Sequence, residues 1–180
     1  MLLGAVVLAS LTMAMNLAHK LCCSSDRWAK QVKDALLPWA LGDVDLGDNT
    51  LEIGPGYGAI LRVLVDQTPK LTSELDTPMA QAARALARRP GPHHQRRRHH
   101  VPTVELQDAL FAEAFRVLRP GGVFAGSDSV ASLRFRLLHI RDICNTVPPE
   151  TLPDRLRAVG FHEVEVDVRG GRLRWRALKP

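Results

Sequence analysis

Val164, Val166 and Val168 alternate with charged residues, and after Gly170-Gly171 the same period returns in Leu173, Trp175 and Ala177. Two runs of period two around a glycine pair predict an antiparallel hairpin. Upstream the apolar spacing lengthens to that of a helix. Leu106, Leu110, Ala114, Val117 and Leu118 predict a helix from about Val104 to Leu118, with start signals in Pro102 and Thr103. Leu152 to Val159 predicts another, stopped at Gly160. Thr77-Pro78-Met79 opens a third, with Thr77 as N-cap and Pro78 at N1, running through the alanines to about Arg88. Short apolar runs predict strands ending at Ile53, near Glu74 and at Asp128. Strands alternating with helices predict an α/β domain on a mostly parallel sheet.

Two stretches do not fit that pattern. Met1 to Ala18 carries no charge and is mostly apolar. A secretory signal needs a basic region ahead of such a run, and none is present. Its length is near the lower limit for a membrane span, and Ser10, Thr12 and Asn16 weaken it further. Residues 1–19 are expected to be an apolar N-terminal extension or packed helix, with a membrane anchor and a cleaved signal as the alternatives, and residues 20–180 to form a single domain. The second stretch is an irregular basic loop at 89–100. The segment Arg84 to His100 holds six arginines, four histidines and no acid. Without those six arginines the formal charge of +5 would become −1, so the basic balance of the chain comes from one segment. Such a run can bind phosphate backbones, but no aromatic residue is interleaved for base stacking. Arginines beside the histidines oppose a cation, and no metal site is expected.

The residues with chemical character cluster in Glu52-Ile53-Gly54-Pro55-Gly56-Tyr57-Gly58. A strand end, a glycine turn and the helical run from Ala59 form the context in which a nucleotide-like ligand meets backbone N–H groups at a helix N-terminus. This stretch resembles motif I of the class I S-adenosylmethionine-dependent methyltransferases. Glu74, 20 residues past Gly54, matches that family's second acidic position. Phe115-Arg116-Val117-Leu118-Arg119-Pro120-Gly121-Gly122 resembles the helix stop and turn before its fifth strand, and His99-His100-Val101-Pro102 the segment after its fourth. The rival is a dinucleotide site, because Gly54, Gly56 and Ala59 also satisfy G-x-G-x-x-A. Glu52 ahead of the first glycine favours the methyl donor.

The resemblance implies a Rossmann-like class I methyltransferase sheet with a C-terminal antiparallel hairpin. It also implies a truncated one. Only 45 residues separate Glu74 from Pro120, and the Arg/His/Pro stretch holds no run able to form a buried strand. The family's third and fourth strands are thus expected to be missing. Its fourth strand lies between the first and the fifth, so its loss would leave a gap on the order of 10 Å. Either the fifth strand slides across to the first, or the sheet fails to form cooperatively.

For function, the resemblance implies methyl transfer from S-adenosylmethionine to a small-molecule acceptor, with activity reduced by the missing middle. Glu52, Gly54, Gly56 and Gly58 would hold the donor's amino-acid end, and Glu74 its ribose hydroxyls. Asp128, Ser129 and Tyr57 are candidates for the acceptor pocket and His100 for a position at its rim; no catalytic base is assigned. The alternatives are a non-catalytic remnant (a pseudoenzyme or frameshifted product) and a basic module for nucleic acid or other anions. Membrane contact would run through residues 1–18. Cys22, Cys23 and Cys144 form no disulfide framework, and the cytosolic origin of the methyl donor implies a cytoplasmic protein.

Overall fold

The computed structural model describes residues 6–10, 21–22, 24–47, 49–54, 59–65, 67–68, 71–73, 103–138 and 145–180. Its strands are β1 (Val6–Ser10), β2 (Thr50–Ile53), β3 (Leu71–Ser73), β4 (Val123–Ser129), β5 (His162–Arg169) and β6 (Arg172–Leu178). They form one sheet in the order β3-β2-β1-β4-β6-β5. The first four of these neighbours run parallel, and the closing hairpin joins antiparallel through β6. The hairpin is the one that the alternation around Gly170-Gly171 predicts.

The centre of the sheet differs from expectation. Val6–Ser10 forms a strand between β2 and β4, paired in parallel with both. The expected gap is filled: β4 does not slide across to β2, and the ladder groups on both find partners. The physical reason is visible in Val-Val-Leu-Ala-Ser, an uncharged run suited to a parallel strand with covered faces. These five residues lie within the sheet, where sequence reasoning expected an extension or anchor. Among the described residues no helix is long and apolar enough to cross a membrane. The helix expected over 77–88 and the basic loop at 89–100 lie outside the described residues.

Helices cover both faces. On one, α1 (Asp26–Gln31), a π-helical turn (Val32–Leu36) and α2 (Leu37–Leu41) follow one another without a break. Ser25 caps α1 by accepting the N–H of Trp28. Pro38, which has no N–H to give to a helix interior, sits at the start of α2 directly after the π turn. Together with α3 (Leu61–Leu64), this side buries Leu37, Leu41, Leu46, Leu64 and Ala125.

The other face is larger and aromatic. It is covered by α4 (Val104–Val117) and α6 (Leu152–Val159), with α5 (Leu133–Leu138) lying between β4 and α6 in the chain. Leu110, Phe111, Ala114, Phe124, Leu152, Leu156, Phe161, Leu173 and Trp175 form one buried cluster. Phe124 is its hub, 5.5 Å from the Phe161 ring and 5.9 Å from those of both Phe111 and Trp175. Thr103 caps α4 through the N–H of Leu106, as its place before the apolar spacing predicts. At the other end Lys179 Nζ donates to the carbonyls of Phe115 and Leu118, closing the helix where its carbonyls lack partners. Gly160 ends α6 at φ +113°, and a Cβ there would meet Phe115 Cζ at 2.9 Å. No other residue fits that stop.

Candidate functional site

In an open parallel sheet, ligands meet the carboxyl ends of the strands. Here those ends belong to β3, β2, β1 and β4. β2 ends in Glu52 and Ile53, and Gly54 then turns with φ +73°. That angle lies in the left-handed region, which suits glycine and would strain a side chain. Along β2 the residues alternate between faces. Leu51 and Ile53 enter the aromatic cluster, so Thr50 and Glu52 face the opposite side, toward α2 and α3. Thr50 is fixed there by donating from Oγ1 to the Leu46 carbonyl, and Thr68 Oγ1 donates to the carbonyl of Gly47. Glu52 is only 1% exposed. A buried carboxylate two residues before a glycine turn is costly for stability alone, and carries chemistry where it meets a ligand.

A second acid stands at the carboxyl end of β4. Asp128 Oδ1 accepts the N–H of Ser129 at 2.7 Å, and Oδ2 accepts that of Val147 at 3.4 Å. The carboxylate therefore ties the segment leading into α6 to the sheet. Although its edge reaches solvent, the surrounding protein removes enough hydration to push its pKa up to about 7, partly offset by the two N–H donors. Asp128 shares the face of Phe124, and Glu52 lies on the other. In register, Glu52 is level with Leu8 and Leu8 with Ala125. Asp128 is then roughly 10 Å further along the strand direction and roughly 10 Å across it. The two acids bracket the carboxyl end of β1 and do not form a pair.

One flank of this region is held by arginines. Arg172, Arg174 and Arg176 project from the face of β6 opposite Leu173, Trp175 and Ala177. Arg172 lies over the ring of Trp28 at 5.0 Å and Arg174 over that of Trp39 at 5.4 Å. Trp39 Nε1 donates to Asp167. Arg176 pairs with Asp43 and Glu165 at 2.8 and 2.9 Å. Because Arg172 is opposite Ser129 in the register, the start of α1 lies beside the carboxyl end of β4.

No family model and no curated protein matches the chain. Solved structures do. A candidate methyltransferase, solved in complex with the Haloferax volcanii Trm112 methyltransferase activator, is 18% identical with a TM-score of 0.55, and the match covers 89% of this chain and 97% of that one. The DhpI–SAH complex is 22% identical with a TM-score of 0.53, over 91% and 95% of the two chains. Apo SibL, an S-adenosylmethionine-dependent methyltransferase, is 16% identical with a TM-score of 0.54, over 85% of this chain and 56% of that one. This chain has the class I methyltransferase fold.

Of the residues expected to hold the methyl donor, the described ones are Glu52 and Gly54. Gly56, Gly58 and Glu74 lie outside the described residues, Glu74 directly after the end of β3. Tyr57 and His100 also lie outside them. Asp128 and Ser129 are at the carboxyl end of β4. Sequence reasoning missed the bond from Asp128 to Val147, which joins residues 19 apart. It also missed that Ser10 ends a strand, level with Ser127 of β4. The uncharged run at 6–10 was the available signal, but periodicity alone does not separate a buried strand from a buried helix.

Proposed function

We propose that the chain binds S-adenosylmethionine at the carboxyl ends of β2 and β1 and transfers its methyl group to a small-molecule acceptor. The observation that carries this reading is Glu52, buried at the end of a parallel strand and followed by the positive-φ turn at Gly54, on a class I methyltransferase fold. The residues fit the group in chemical terms: a carboxylate accepts hydrogen bonds from the donor's ammonium, and a glycine turn lets backbone N–H groups approach it closely. Gly56 and Gly58 would continue that turn, and Glu74 would accept from the ribose hydroxyls. DhpI, among the similar structures, is complexed with SAH.

The bound donor supplies an activated methyl group. The protein's own part is to align the acceptor with it and exclude water. Asp128 and Ser129 stand where an acceptor could reach, and we assign neither as a base. The proposed location is the cytoplasm.

A thermal melt with and without S-adenosylhomocysteine tests the reading. Ligand binding only to the folded state, at about 100 times its dissociation constant, adds about 2.7 kcal/mol and raises the midpoint. Glu52→Gln, which keeps shape and removes charge, should weaken donor binding by roughly 10- to 100-fold, the loss of about 1.5–3 kcal/mol expected for a hydrogen bond to a charged group. A parent chain whose melt does not respond to the ligand supports the non-catalytic remnant instead. Salt-dependent retention on nucleic acid, lost on replacing Arg96, Arg97 and Arg98, would support the basic module.

A further inference from the structure

We propose that Arg169 and Arg172 bind the anionic group of the methyl acceptor, which is therefore a small carboxylate or phosphate. The inference rests on the methyl-transfer reading and adds the substrate class to it. The register of the closing hairpin carries it. Arg176 stands opposite Glu165 and Arg174 opposite Asp167, and both rungs form ion pairs. The alternation of acid against base stops at the next rung, where Arg172 stands opposite Arg169. Like charges directly opposite each other destabilise a sheet. A carboxylate or phosphate held between them reverses that, because a guanidinium presents two parallel N–H groups to an oxyanion.

The like-charged rung is at the ligand end of the sheet. Arg172 is also opposite Ser129, the last residue of β4, so Ser129, Arg172 and Arg169 share one rung and one face. That face is the one that holds Glu52. In register Glu52, Leu8, Ala125 and Arg176 follow one another across the sheet, and Arg172 shares the face of Arg176. Ser10 ends β1 level with Ser127. From there Arg172 is roughly 7 Å further along the strands and roughly 10 Å across them. A small acceptor anchored by the pair thus reaches back to the carboxyl end of β1, where the donor is proposed to lie. Two contacts hold the arginines in position. The Val130 N–H donates to the Gly171 carbonyl at 2.9 Å, which ties the hairpin turn to the exit of β4. Trp28 lies under Arg172, 5.0 Å from ring centre to guanidinium, and sets the plane in which its N–H donors lie. Arg169 is exposed, so an anion reaches the rung from solvent.

Inorganic phosphate is the probe, exchanged for chloride at constant ionic strength and followed by NMR at the arginine Nε–H signals of the full chain, first without methyl donor. Saturable shifts are expected at Arg169 and Arg172. Arg169→Gln should weaken phosphate binding roughly 10-fold or more, the loss of one charge-assisted contact, while the melt stays that of the parent because the side chain is exposed. Arg157→Gln, at an exposed arginine of α6, should leave binding unchanged. Shifts that do not saturate, or that persist undiminished in Arg169→Gln, would overturn the proposal. The titration is then repeated with saturating S-adenosylhomocysteine, and phosphate should still bind. Competition between the two would assign the arginines to the donor's own carboxylate and overturn the acceptor role. A chain that responds to S-adenosylhomocysteine but not to phosphate would overturn the arginine site alone. One that binds phosphate and gives no response to S-adenosylhomocysteine would remove the methyl-transfer reading, and the acceptor role with it.

Discussion

On the face covered by α4 and α6, Phe111, Phe124, Phe161 and Trp175 are sealed from water and stacked or tilted against one another. On the face covered by α1 and α2, the buried apolar side chains are aliphatic, and the border is made of arginines lying over tryptophans. The two sides divide the labour of the molecule. The aromatic face comes almost wholly from residues 103–180, with each element packing against its near neighbours in the chain. The aliphatic face holds Glu52 and depends on a strand contributed by the other end of the sequence. Most of the stabilising burial therefore lies across the sheet from the best candidate for ligand chemistry. Substitutions on one face should change melting, and on the other they should change binding.

The largest expected effect is at Trp175. Its ring is fully buried, and its indole N–H has no hydrogen-bond partner among the described residues, so it serves by volume and apolar contact. Trp175→Ala should cost about 3–5 kcal/mol. In a domain stable by roughly 5–15 kcal/mol, that removes much of the cooperative transition. Calorimetry checks it, and a loss under about 1 kcal/mol would mean that the aromatic face is not the main store of stability.

Next is Arg155, which fastens α6 to α4. Its Nε donates to Asp108 at 2.7 Å and its Nη1 to Gln107 Oε1 at 3.0 Å, while the guanidinium lies 5.1 Å from the centre of the Phe111 ring. The side chain is 13% exposed and Gln107 is fully buried. Arg155→Ala leaves the Gln107 oxygen without this donor and should cost about 1–3 kcal/mol. Urea titration should show a lower midpoint at an unchanged slope. A matching loss in Asp108→Ala would assign the effect to the exposed ion pair, which is expected to contribute less than about 1 kcal/mol.

These features differ in how far the sequence reveals them. The hairpin, α4 and α6 are legible because each is a local pattern: a period, a cap, a stop. Glu52 and Gly54 are legible because the glycine turn has to follow the strand end directly. β1 is not. Its five residues are apolar without a distinguishing period, and what makes them a strand is the vacancy between β2 and β4, nearly fifty residues away on one side and more than a hundred on the other. Asp128 is half legible. Its place at a strand end can be read, whereas its bond to Val147 is a tertiary contact.

Asp128 also gives the aromatic face a pH signature. Its pKa is raised to about 7 by burial, while an unfolded aspartate titrates near 3.9. Between those values the folded state holds the proton more tightly than the unfolded state does. Stability should therefore fall as pH rises from about 4 to 7, at no more than about 1.4 kcal/mol per pH unit for one proton. Asp43 has the opposite sign, its carboxylate held below its usual range by its own backbone N–H and by Arg176. That contribution is present above about pH 4 and is lost as pH falls further. Asp128→Asn should flatten the slope above pH 4 and leave the acid limb in place. An unchanged slope would place the proton elsewhere.

The smallest effect sharpens the comparison most. Arg172 over Trp28 holds the start of α1 at the sheet's border, where Trp28 is half-buried. A cation over an indole at an accessible site is worth about 0.5–1 kcal/mol, so Arg172→Ala should barely move the global melt. Local attachment is another matter. If the helical cover on this face is held separately from the aromatic core, the variant should expose Trp28 to added iodide, raising fluorescence quenching while Trp175 stays protected. In a Trp39→Phe background, Trp28 and Trp175 then report the two faces independently. Should quenching and melting instead change together, the faces form one cooperative unit, and α1 cannot loosen without unfolding the sheet beneath it.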